Sequence, residues 1–281
     1  MSRGKDEFGD RMKMYEMAEA GRHFTPLLPI VARLDGKNFS KWTNDLQRPY
    51  DRRMSDLMII TTQYLVSHTG ARIGYTQSDE ISLVFYSDSI KSQIYFDGRI
   101  QKMTSVIAAM ASVVFTKYTK HLLPTKYAIE WEHALFDCRC WQLPNLVEAT
   151  NAILWREMDA TKNSVSMLAQ HYFSHKQLQD LGRADMMDLL MSLDPPVNWN
   201  DCPNFFKRGT YVQRKKVSRK FTTEEIERLP EKHEARTNPD LEIVRSDVEV
   251  LDMPPLSKVT NRVDVVIWGA DPIIMTEKEE I

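Results

Sequence analysis

The sequence predicts an α+β fold: a ferredoxin-like βαββαβ unit with an antiparallel sheet, then a helical region and a small β extension. Three observations predict it. Short apolar runs alternate with long stretches whose apolar residues recur every three or four positions. Their order is strand, helix, strand, strand, helix, strand. Beyond Pro144 the pattern becomes mainly helical.

Each element has its own signal. Leu28 to Leu34 is a short apolar run that stops at Asp35-Gly36, a turn pair. Asp51 to His68 places Leu57, Ile60, Tyr64 and Leu65 at helical spacing, and Gly70 ends it. Arg72 to Thr76 and Ile81 to Tyr86 read as strands joined through Gln77-Ser78-Asp79-Glu80. A second helix runs from an N-cap at Asp97 to about Tyr118, with Met103, Val106, Met110 and Val113 on one face. Ala134 to Leu143 supplies the fourth strand. Glu148 to Phe173 is a long helix. Ser174 with Gln177 forms a capping box for a short one, and Ala184 to Leu193 forms another. The tail offers a short helix after Thr222 and strands near Leu241 to Val250 and Arg262 to Trp268. The expected division is residues 1–144, 145–220 and 221–281, packed together because no flexible linker is visible. Both helices of the first unit should lie on one sheet face and leave the other free for a substrate.

Bulk properties narrow the function. There are 37 basic and 39 acidic side chains, a net charge of −2, so any nucleic-acid surface must be a local patch. Neither a signal-peptide core at the start nor an apolar run long enough to span a bilayer is seen, and a cytoplasmic protein is expected. Three cysteines, Cys138, Cys140 and Cys202, have neither a disulfide framework nor zinc spacing. His68, His133 and His171 fall in predicted regular elements and form no catalytic pair, and no GxxxxGK[ST] loop occurs.

Chemistry concentrates at Asp35 and Asp79. In a split βαβ sheet the first and third strands are neighbours, so both carboxylates reach one edge. Two close carboxylates repel unless a cation lies between them, and Mg²⁺ takes oxygen ligands and bridges to phosphates. Turn chemistry alone also accounts for Asp-Gly and Ser-Asp-Glu. Arg99 and Lys102 share the first turn of a helix, where the dipole disfavours cations and a bound polyphosphate removes the conflict. Lys207, Arg208, Arg214, Lys215, Lys216, Arg219 and Lys220 lie within fourteen residues, near Phe205, Phe206 and Tyr211. That mixture suits RNA; a solvated charge run is the alternative.

These residues also carry a family resemblance. Arg33-Leu34-Asp35-Gly36-Lys37-Asn38-Phe39 and Tyr75-Thr76-Gln77-Ser78-Asp79-Glu80 resemble the two metal motifs of the tRNA-His guanylyltransferase superfamily. Arg48-Pro49-Tyr50-Asp51, Arg99 with Lys102, Phe136-Asp137-Cys138-Arg139, Trp155-Arg156 with Asp159 and Asn163, and Phe206-Lys207-Arg208-Gly209-Thr210 continue the match over roughly residues 10–215. The resemblance implies a palm-like catalytic domain that adds nucleotides to an RNA 5′ end after ATP or GTP activates its phosphate. It implies two Mg²⁺ ions on Asp35, the Gly36 carbonyl and Asp79, supported by Ser78 and Glu80. It assigns Lys37, Asn38, Phe39, Arg48, Ser78, Arg99 and Lys102 to the nucleotide. It assigns Lys162, Asn163, Lys207, Arg208, Arg214 and Lys215 to tRNA, in a homotetramer. The stretch Asp159-Ala160-Thr161-Lys162-Asn163-Ser164 stands where eukaryotic members carry His-Ile-Asn-Asn. That departure favours template-dependent repair over adding one G to tRNA-His. A different palm-fold enzyme, such as a nucleotidyl cyclase or forward polymerase, and a non-catalytic RNA-binding module remain the competing readings.

Overall fold

The expected order of strand, helix, strand, strand, helix, strand in the first unit holds in the computed structural model, which describes residues 6–92, 94–123, 134–238 and 240–275. The first part comprises α1 (Glu7–Ala20), β1 (Ile30–Gly36), α2 (Phe39–Trp42), α3 (Arg52–Thr69), β2 (Ile73–Gln77), β3 (Glu80–Phe85), α4 (Ile100–Leu122) and β4 (Phe136–Gln142). Then follow α5 (Leu146–Tyr172), α6 (His175–Leu178), α7 (Arg183–Met191), α8 (Asn204–Arg208), β5 (Thr210–Lys220), α9 (Thr223–Arg228) and β6 (Glu242–Leu251). His133 lies outside the described residues.

Among the described residues six strands form one sheet in the order β4-β1-β3-β2-β5-β6, and every pair is antiparallel. β1 and β3 are therefore neighbours, as the split βαβ pattern requires. The sheet draws strands from all three sequence segments, since β5 pairs with β2 and β6 with β5.

Side chains alternate across the sheet, and two cores result. Ile30, Ala32 and Leu34 of β1 join Leu57, Leu65, Met103, Ile107 and Phe115 of α3 and α4. Local signals fix these helices. The Asp51 carboxylate accepts from the Arg53 amide at 2.9 Å at the head of α3, and Gly70 ends it at φ 73°.

The second face is not free, contrary to the sequence expectation. α5 and the segment 256–267 cover most of it, packing Ala149, Ile153, Leu256, Val265 and Val266 against Val31, Ile73, Tyr75, Val84 and Tyr211. The reason is in the strands: this face is as apolar as the first, and an apolar face needs a covering layer. Among the described residues no helix is long and apolar enough to cross a membrane.

Three local readings also change. α4 begins at Ile100 with Arg99 as its N-cap; Asp97 sits at φ 55° and makes no cap. Asp264–Trp268 is a helical turn, not a strand, closed by Gly269 at φ 75°. A four-residue apolar run has no period to separate the two. The basic segment is a long strand, β5, tied to the sheet. Gly209 makes its entry possible: at φ 79°, a Cβ there would sit 2.6 Å from the Thr76 carbonyl oxygen.

Candidate active site

The site lies at the end of the sheet where β1 stops and β2 turns into β3. Gln77 pairs with Glu80, leaving Ser78 and Asp79 as a two-residue loop. Ser78 takes φ 50°, unusual for a residue with a side chain. The Gly36 amide donates to the Asp79 carbonyl oxygen at 3.1 Å, stapling this loop to the end of β1. Gly36 has a steric reason too: a Cβ would lie 2.4 Å from the Phe39 ring, which folds back over it. Phe39 is buried against Trp42, Phe115 and Phe136, so it supports the loop from below.

Register places an acidic row across the strands. Asp35 is directly paired with Asp137 on one side and with Glu80 on the other. Directly opposed like charges destabilise a sheet, so each needs compensation. Glu80 has it: Arg156 of α5 donates from Nε at 2.6 Å and from Nη2 at 2.7 Å. Burial still pushes the Glu80 carboxyl above its usual range, against the pull of Arg156. Arg156 also donates to Asp159 at 3.0 Å, and Asn163 donates to the same carboxylate at 3.2 Å. Asp137 has Arg139 at 3.4 Å.

Asp35 and Asp79 differ. Among the described residues, no cation lies within ion-pair distance of either. Burial, and then the charge of Asp35, raise the Asp79 carboxyl, opposed by hydrogen bonds from its own amide and from Ser78. The described residues contain no group of three or more His, Cys, Asp and Glu side chains able to hold a metal. A cation here would use two carboxylates and take its other oxygens from backbone, water and phosphate. That is a Mg²⁺ donor set rather than a dedicated Zn²⁺ or Ca²⁺ cage.

A cavity of about 290 Å³ opens beside the loop. Ser78 and Asp79 form one wall, Arg48 and Tyr50 another, and Asn163, Phe205 and Phe206 a third. Arg48 donates to the Thr43 carbonyl oxygen at 3.3 Å. Asp51, on the same wall, is fully engaged: it accepts from Gln47, and Arg53 Nη2 approaches to 2.6 Å. Those hydrogen bonds hold its carboxyl down at about 2.

The structure brings Asp35, Gly36, Phe39, Arg48, Ser78, Asp79, Glu80 and Asn163 to this end. Asn38, left-handed at φ 58°, is the N-cap of α2, and Lys37 is exposed with its amide bonded to Leu135. Lys162 is an exposed neighbour on α5. Arg99 and Lys102 are not part of the cavity. Ser112, halfway along α4, accepts from the Phe136 amide at the level of Gly36. Arg99 is thirteen residues earlier, about 20 Å away along the helix. Lys102 instead lies over the Phe96 ring at 4.7 Å.

Among the described residues of the basic segment, most basic side chains have partners within the chain. Lys207 is buried, bonded to the Asn200 carbonyl and placed over Trp199. Arg214 donates to Val66 and Ser67 carbonyl oxygens at the end of α3. Arg208 reaches Asn204, Lys215 pairs with Asp271, Arg219 with Glu225 and Lys220 with Asp240. The basic side chains anchor the hairpin because acidic and carbonyl partners lie beside them. From the sequence, Arg156 and Tyr50 enter only as members of matched segments, without a role of their own, and Glu157 is not named. Glu157 is buried, accepts from Tyr211 at 2.6 Å and from the Leu256 amide at 2.9 Å, and ties α5 to β5 and the C-terminal segment. The available signal was an arginine and a glutamate inside an apolar helix stripe.

Comparison with known proteins then places the chain. The family model described as tRNAHis guanylyltransferase matches residues 9–144. A bacterial tRNA(His) guanylyltransferase-like protein solved in complex with ATP is 32% identical, with a TM-score of 0.75 over 93% of this chain and 99% of that one. The chain belongs to the tRNA(His) guanylyltransferase family. A bacterial tRNA(His) guanylyltransferase-like protein in complex with GTP agrees: 30% identity, TM-score 0.68, 90% of this chain and 95% of that one. An uncharacterised protein of Acanthamoeba polyphaga mimivirus is 31% identical over 75% of this chain and 78% of its own length. The Neurospora crassa tRNA(His) guanylyltransferase is 29% identical over 67% and 68%. Family membership makes the palm-like fold and a nucleotidyltransferase role the frame for this site.

Proposed function

We propose that this protein is a Mg²⁺-dependent, template-dependent nucleotidyltransferase that adds nucleotides, GTP preferred, to the 5′ end of tRNA. One observation carries the reading: Asp35 and Asp79 are brought to one edge, without a cationic partner among the described residues, and Asp79 lines a cavity of about 290 Å³. Family relatives solved with ATP and with GTP support it.

Two Mg²⁺ ions held by Asp35, Asp79 and the Gly36 carbonyl would neutralise phosphate charge and lower the cost of deprotonating an attacking hydroxyl. The chain's own groups do the rest. Arg48 on the cavity wall meets the triphosphate. Tyr50 and Phe205, packed edge to face at 5.4 Å, give the cavity an aromatic side for a base. Ser78 holds the loop geometry, and Arg156 keeps Glu80 from competing for the cation. The 5′-phosphate of the tRNA is first activated by attack on the α-phosphate of ATP or GTP, releasing pyrophosphate. The 3′-hydroxyl of the incoming nucleotide then attacks the activated 5′-phosphate and releases the nucleoside monophosphate. The absence of His-Ile-Asn-Asn at 159–164 favours repair of truncated tRNAs over tRNA-His maturation.

The test is direct. Purified protein, Mg²⁺, ATP and α-labelled GTP are incubated with 5′-truncated, 5′-monophosphorylated tRNAs. Label at the 5′ end is expected. A cyclic nucleotide product or extension of the 3′ end would replace this reading with another palm chemistry.

A further inference from the structure

We propose that Trp155, Arg33 and Arg139 form the surface on which the RNA 5′ end docks, with Trp155 stacking a terminal base and the arginines holding adjacent phosphates. The proposal rests on the function proposed above and names the part of the site that sees RNA. It begins from a contrast: Arg214, Lys215, Arg219 and Lys220 of β5 already have partners within the chain, whereas Arg33 and Arg139 face each other.

Register points to where. Arg33 of β1 and Arg139 of β4 are directly paired, so two guanidinium groups project side by side from one sheet face. Like charges so placed repel, and an anion between them relieves the repulsion. Arg139 is half-exposed, and its ion pair to Asp137 is long at 3.4 Å. The neighbouring row on the same face contains Asp35, two residues further along β1. A phosphate on the arginines would thus lie one pleat, about 7 Å, from the carboxylate row.

The aromatic partner is adjacent. Trp155 extends from α5 with 53% of its surface open, beside Arg33 at 5.7 Å and Arg156 at 4.5 Å from its ring centroid. An indole with guanidinium groups around it is a stacking platform for a base bearing a phosphate. Arg156 connects the platform to Glu80, so the same helix turn positions the acidic row. The cavity beside Asp79 takes the nucleotide, and the exposed part of the second face around Trp155 and Arg139 takes the RNA, with the two carboxylates between them.

A fluorescent acceptor-stem hairpin with a 5′-monophosphate tests this. Its affinity is measured by polarisation for wild type, Trp155→Ala, Trp155→Phe and Arg139→Ala, alongside KM for RNA and for GTP. Trp155→Ala should weaken hairpin binding and raise the RNA KM about tenfold, the weight of one stacked base, leaving the GTP KM within about twofold. Trp155→Phe should restore most of the loss. Arg139→Ala should reduce the salt dependence of binding by about one phosphate contact. Unchanged hairpin affinity in Trp155→Ala overturns the proposal, as does a change of oligomeric state without loss of RNA affinity, which would mark a protein contact. Addition that ignores Trp155 sinks the platform and leaves the enzyme reading standing. Trp155-dependent binding without any addition does the reverse.

Discussion

The acidic edge of the sheet and the basic hairpin at its other side are both dense in charge, yet they are built on opposite rules. Along β5, Lys215, Arg219 and Lys220 each face a carboxylate, and Arg214 faces carbonyl oxygens. At the ends of β1 and the β2–β3 loop, Asp35 and Asp79 face each other. The flanking acids Glu80 and Asp137 do have arginines. Charge that the fold compensates is architecture; charge left uncompensated awaits something the chain does not supply.

That contrast can be broken from the acidic side first. Asp35→Ala or Asp79→Ala should lower 5′-addition about a thousandfold while the fold persists, because several kcal/mol of charge stabilisation disappear. Asp79→Asn should lose activity equally but raise the melting temperature. Its folded carboxyl is held above the unfolded value, so at neutral pH its charge works against folding.

Arg156→Ala should come next. It leaves Glu80 buried and unpaired, at a cost of roughly 3–5 kcal/mol in denaturant unfolding. Adding Glu80→Gln should recover most of that loss. If the single change is silent, Glu80 is not held as described.

Asp51 sharpens the comparison at a compensated carboxylate. Its folded value of about 2 lies below the unfolded one, so its stabilisation is present above about pH 4 and disappears as pH falls through about 2. Asp51→Ala should cost on the order of 2 kcal/mol at pH 7, and wild type and variant should converge near pH 2.

The smallest effects belong to the hairpin. Arg219→Ala and Lys220→Ala should shift the melting temperature by a few degrees at most and leave RNA affinity within about twofold. A tenfold loss of RNA binding would return the RNA surface to β5.

The ferredoxin-like half was legible because its strands announce themselves locally. Leu28 to Leu34 ends at Asp-Gly, and Ser78-Asp79 separates two apolar runs, so the adjacency of β1 and β3 followed from topology. The pairing of Asp35 and Asp79 followed with it. What escaped the sequence is non-local. Nothing in Lys207 to Lys220 names the acidic partners that lie up to fifty-six residues away, as Asp271 does from Lys215. The covered second face was missed for the same reason: Val31 and Val84 show only that their strands are buried, not that α5 lies over them. α1 was missed because none of its residues is buried, leaving no core-facing pattern to read. Arg99 and Lys102 illustrate the converse: a helix start suited to phosphate, placed at the far end of its helix from the carboxylates.

The most direct test of the central claim is a Mn²⁺ titration followed by electron paramagnetic resonance, in the presence of GTP. Wild type and Asp137→Ala, which alters a carboxylate already served by Arg139, should bind the cation alike. Asp35→Ala and Asp79→Ala should each abolish that binding. Equal cation binding by all four proteins would contradict the account.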